Sequence, residues 1–138
     1  MNRISNHTYS RIFLFGALFN LSFAIPGLLL PRFVASLAYG PDMVASVFSN
    51  YYAYSFYNIV WGAILIFGIG YYFVSRDVSK NRGIVWMAII GKSVFFIFFT
   101  YSYFTDRASL LALLGGTCDL IFTLIFLLFL WQTKDDSL

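Results

Sequence analysis

Lys92 and Asp119 each interrupt a stretch of sequence that is otherwise uncharged and apolar. Charges in such stretches are costly in lipid and mark ion pairs, proton relays or ligand sites. Their spacing relates them. Counted from Asp106, Lys92 lies about 14 residues back and Asp119 about 13 forward, so at about 1.5 Å per helical residue both sit roughly 20 Å from the turn. Opposite charges at one depth on adjacent antiparallel helices predict an ion pair. Two readings stay open. The pair can be a staple that neutralises itself. It can also be a polar site, either a proton relay or a seat for a headgroup, quinone or substrate. Stability alone explains it poorly, because apolar replacements of a buried pair are often no less stable.

Three further residues share the expected interior. Asn20 lies about 13 Å from Arg11 along its helix, a depth close to that of the pair. Asn58 and Trp61 fall on one helical face with Tyr54, Leu65 and Gly68. Lys92, Asp119, Asn20, Asn58 and Trp61 are therefore the candidate buried polar or ligand site. Interhelical hydrogen bonding without function is the alternative for the asparagines. No catalytic set, metal cluster or cofactor motif accompanies them. His7 is the only histidine, Cys118 the only cysteine, and there is no glutamate. One chain thus offers no disulfide, no CxxC centre and no nucleophile–base set.

The elements that must position these residues are membrane spans. Hydrophobic residues make up 60% of the 138 and charged ones 11%, too apolar a balance for a soluble domain of this size to bury. About 20 apolar residues cross the hydrocarbon core. Four stretches qualify, at about 12–30, 51–75, 83–105 and 108–131. The expected fold class is an all-α integral membrane bundle of four transmembrane helices in a single domain. Small residues line two of them: Gly16, Asn20, Ala24 and Gly27 on the first, and Ala108, Ala112, Gly115, Asp119 and Thr123 on the fourth. Such stripes let helix backbones approach closely. The third and fourth spans leave only Thr105-Asp106-Arg107 between them and form a hairpin.

The first loop is apolar in its own right. Pro31 opens a short helix with Phe33, Val34 and Leu37 on one face, Gly40-Pro41-Asp42 turns, and Met43, Val44, Val47 and Phe48 follow as a second face. These pieces are expected to lie in the interface, either as a lid over a cavity or as a mere connector. Orientation follows from basic residues in short loops. Arg3, Arg11, Arg76, Lys80, Arg82 and Lys134 fall on one side, and Arg32 and Arg107 on the other, which predicts both termini in the cytoplasm. The net charge of +3 then reports orientation, and no nucleic-acid partner is expected.

The spacing of all four spans resembles the small bacterial inner-membrane proteins around the DoxX family. So do Gly70-Tyr71, Asp77, Asn81-Arg82 and Gly91-Lys92, together with Gly116-x-x-Asp119-Leu120-x-Phe122. DoxX itself is linked to a quinone-reducing oxidoreductase complex, so the resemblance implies an accessory role in a respiratory or redox assembly. It transfers no catalytic residue. The resulting expectation is a non-enzymatic accessory subunit or binder of a lipid-soluble molecule, partnered by the bilayer and by other membrane subunits or copies of itself. A proton-coupled transporter working as an oligomer is the alternative.

Overall fold

The computed structural model describes residues 4–133, without the side chain of Met43; Arg3 and Lys134 lie outside that range. Among the described residues there are six helices and no strands: α1 (Asn6–Leu29), α2 (Pro31–Tyr39), α3 (Pro41–Ser49), α4 (Tyr51–Arg76), α5 (Arg82–Phe104) and α6 (Leu110–Gln132). Helices α1, α4, α5 and α6 are each long and apolar enough to cross a membrane.

Local chemistry sets the boundaries. The Ser5 hydroxyl accepts from the Thr8 amide at 3.2 Å. This cap starts α1 six residues before the first span expected from hydropathy, because capping does not depend on lipid. Asn50 Oδ1 accepts from the amides of Tyr52 and Ala53 to open α4. Ser109 caps α6 through the Ala112 amide at 3.3 Å. That corrects the fourth span: Ala108 precedes the helix and does not belong to its small-residue stripe. Prolines occupy the first positions of α2 and α3, where a missing N–H loses nothing. Between these two helices Gly40 takes φ 84° and ψ 161°, a region open essentially to glycine alone. The α5–α6 turn closes with Asp106 at φ 57° and the Arg107 amide donating to the Ser102 carbonyl at 2.8 Å.

The four long helices associate as two antiparallel pairs, α1 with α4 and α5 with α6. Small residues allow the close approach within each pair. The Trp61 indole lies directly over Gly27, Leu21 packs on Gly68, and Phe99 packs on Gly116. The pairs meet each other through aromatic rings at the end that carries both termini. Phe13 stacks on Phe126 with centroids 4.8 Å apart, and Tyr9 and Phe13 meet Phe129 edge-on at 4.9 and 5.1 Å. Tyr9, Phe13, Tyr71, Val74, Val85, Phe126 and Phe129 are completely buried there or nearly so. Polar ties close the same end. Arg82 donates to the carbonyls of Leu130 and Thr133 at the C-terminus of α6 and to the Thr133 hydroxyl, where a cation complements the helix dipole. Tyr9 donates to Gln132 at 2.9 Å, and Ser10 donates to the Ser75 carbonyl at 2.6 Å. This half of the bundle is solid.

Candidate functional site

The other half is hollow. A cavity of about 540 Å³ lies between the two helix pairs, within the range that holds small ligands. Its walls come from the C-terminal half of α1, the N-terminal half of α4, the C-terminal half of α5 and the N-terminal half of α6, among them Phe23, Val60, Trp61, Phe95 and Gly115. Helix α2 and the C-terminal part of α3 form its roof through Phe33, Val34, Leu37 and Val47. The roof is fastened. The Ser109 amide and hydroxyl donate to the carbonyls of Ala38 and Leu37 at 2.8 and 2.6 Å. Tyr57 donates to the Pro31 carbonyl at 3.0 Å, and the Arg32 guanidinium lies 5.0 Å from the Phe48 ring centroid. Of the two expectations for the first loop, these helices behave as a cover.

The floor of the cavity is polar. Lys92 Nζ meets Asp119 Oδ1 at 2.5 Å. The same ammonium donates to Asn20 Oδ1 at 3.4 Å, and Asn20 Nδ2 reaches the Ile64 carbonyl at 3.4 Å. Three helices thus converge on one cation. Lys92 also lies over two rings, 4.9 Å from the Phe122 centroid and 5.6 Å from that of Tyr71, contacts that gain strength once water is excluded. Thr123 is buried one turn beyond Asp119 and donates back to its carbonyl at 2.9 Å.

The structure brings Lys92, Asp119 and Asn20 together, and puts Trp61 in the cavity wall above them. It does not bring Asn58. That amide donates to the Tyr54 carbonyl of its own helix at 3.1 Å, because an asparagine in a helix can satisfy itself four residues back. Asn58 therefore brings no polar group from α4 to the floor. What α4 supplies at the floor is Tyr71, 1% exposed, whose ring faces the ammonium. Its signal was in the sequence: Tyr71 continues the Trp61, Leu65, Gly68 face by one further step of three.

Geometrically this is an apolar chamber within a membrane-spanning bundle, closed at one end by aromatic packing and a neutralised charge pair. Compared with protein-family models, characterised proteins and solved structures, the chain has no match.

Proposed function

We propose that this protein binds a lipid-soluble molecule in the chamber between its helix pairs, with the molecule's polar end at Lys92, Asp119 and Asn20. One observation carries the reading: an apolar cavity inside the span region ends on a buried ion pair. A self-neutralising staple needs no cavity beside it. An amphiphile needs both parts. The DoxX-like pattern supports placing the binder in a bacterial inner membrane as an accessory subunit of a larger assembly. The distribution of basic residues supports cytoplasmic termini, with the roof helices at the outer surface.

Gly115 provides the test. It lines the chamber, and a Cβ built there meets no atom within 4 Å, so Gly115→Phe starts a bulky side chain into open space and obstructs the chamber. The wild type purified in mild detergent should carry a non-bilayer lipid in its organic extract, in fixed proportion to protein, and Gly115→Phe should lose it. Identical extracts from the two would sink the proposal.

A proton-coupled carrier is the second reading, favoured by one observation: the carboxyl group of the ion pair, Asp119, faces the cavity. Movement of substrate past the floor requires an aqueous path through the aromatic half. Proton uptake by proteoliposomes that disappears in Asp119→Asn would favour it over simple binding.

A further inference from the structure

The floor is balanced in charge and one-sided in hydrogen bonding. The Lys92 side chain is 6% exposed and its ammonium is committed to Asp119 and Asn20. The Asp119 side chain is more exposed, at 17%, and lines the cavity. Its Oδ1 is held by Lys92, while among the described residues no donor reaches its Oδ2. An ionised carboxylate has acceptor capacity only. The other polar groups at this depth are Asn20, whose amide nitrogen points to the Ile64 carbonyl, and Tyr71, whose side chain interacts with Asn20. The chamber therefore presents an unused acceptor to its occupant.

Charge then discriminates among the heads that could use it. Lysine and aspartate already cancel. A cationic head adds a net positive charge, and an anionic head a net negative one, inside walls that solvate neither. A hydroxyl satisfies Oδ2 and leaves the balance unchanged.

We propose that the ligand is an uncharged lipid alcohol that occupies the chamber and donates its hydroxyl to Asp119 Oδ2. This rests on the reading of the chamber as a lipid-binding site and adds head-group chemistry.

Three probes with one chain separate the possibilities: dodecanol, dodecyl sulfate and dodecyltrimethylammonium, whose charges do not titrate. Each is partitioned at micromolar concentration into phosphatidylcholine nanodiscs with and without protein. Dodecanol binds saturably and at least about tenfold more tightly than either charged probe, the margin expected when a buried site must accept an unpaired charge. The double variant Lys92→Met/Asp119→Leu keeps the chamber but, lacking the acceptor, binds dodecanol about tenfold more weakly than the wild type, and Gly115→Phe loses binding. Equal or tighter binding of a charged probe overturns the head-group assignment and leaves the chamber a lipid site. Absence of saturable binding by all three probes overturns the lipid-binding reading as well.

Discussion

The Lys92 ammonium has four partners within reach and the Asp119 carboxylate has one, so the two single substitutions differ in outcome. Asp119→Leu leaves a buried ammonium with only a distant amide oxygen and two rings. Lys92→Met leaves a carboxylate that faces the cavity. Breaking a buried pair costs about 3–5 kcal/mol where burial is complete. We expect the larger loss of folded yield in detergent for Asp119→Leu and a smaller one for Lys92→Met. The double variant should recover yield, and the non-additivity measures the coupling. Additive, harmless single changes would mean that the pair does not contribute. Cys118, one residue away, lies outside the cavity lining and is half-buried. Its thiol lies within an apolar span and away from the cavity, so it should react slowly with a water-soluble maleimide in intact membranes. Rapid labelling would reveal water and favour transport.

Among the elements, the α4–α5 turn and the α1–α4 contact make separate predictions. Asp77 ends α4, accepts from Ser79 Oγ at 2.7 Å and from the amides of Ser79 and Lys80, and pairs with Lys80 at 3.2 Å. The Ser79 and Lys80 hydrogen bonds pull its carboxyl from 3.8 down to about 2. A depressed carboxylate stabilises the fold above its unfolded pKa, and that contribution is lost as pH falls through the folded value. The ordering of the turn should therefore be complete above about pH 4 and fade toward about pH 2. Amide exchange at Ser79 and Lys80 reads this directly, and Asp77→Asn should erase the pH dependence. At the α1–α4 contact the indole of Trp61 occupies the place of any side chain on Gly27. Gly27→Ala should destabilise by about 1–3 kcal/mol, as overpacking does, and Trp61→Leu should restore part of it. An unchanged melting temperature in Gly27→Ala would show that the two helices can separate freely.

Across the whole molecule, how much could be read in advance depended on range. The Lys92–Asp119 meeting was legible because a tight turn ties the depths of two neighbouring helices together. Asn20 was legible through depth as well, counted from Arg11. The pairing of α1 with α4 was not, since two helices separate them and small-residue stripes occur on both α1 and α6. Nor was the hollow half. Its existence depends on how far apart Phe13, Phe126 and Phe129 hold the helix pairs, and composition does not encode that distance. Asn58 was misplaced because spacing identifies a face but not which carbonyl an amide chooses. The orientation proposed from basic residues places Leu138 in the cytoplasm; a reporter active only outside the cytoplasm, fused there, should be silent.

The tight α5–α6 turn has a consequence for how the chain enters the bilayer. During synthesis α5 emerges before α6, and alone it carries Lys92 into lipid at about 2.5–3.5 kcal/mol on insertion scales. Asp119 arrives only about 27 residues later, the sequence distance between the two. Helix α5 is thus expected to insert poorly until α6 joins it, so that the hairpin enters as a unit with its charges already cancelled. A chain truncated within the α5–α6 turn should leave α5 largely uninserted in a glycosylation-mapping assay, and Lys92→Met in the same truncated chain should restore its insertion.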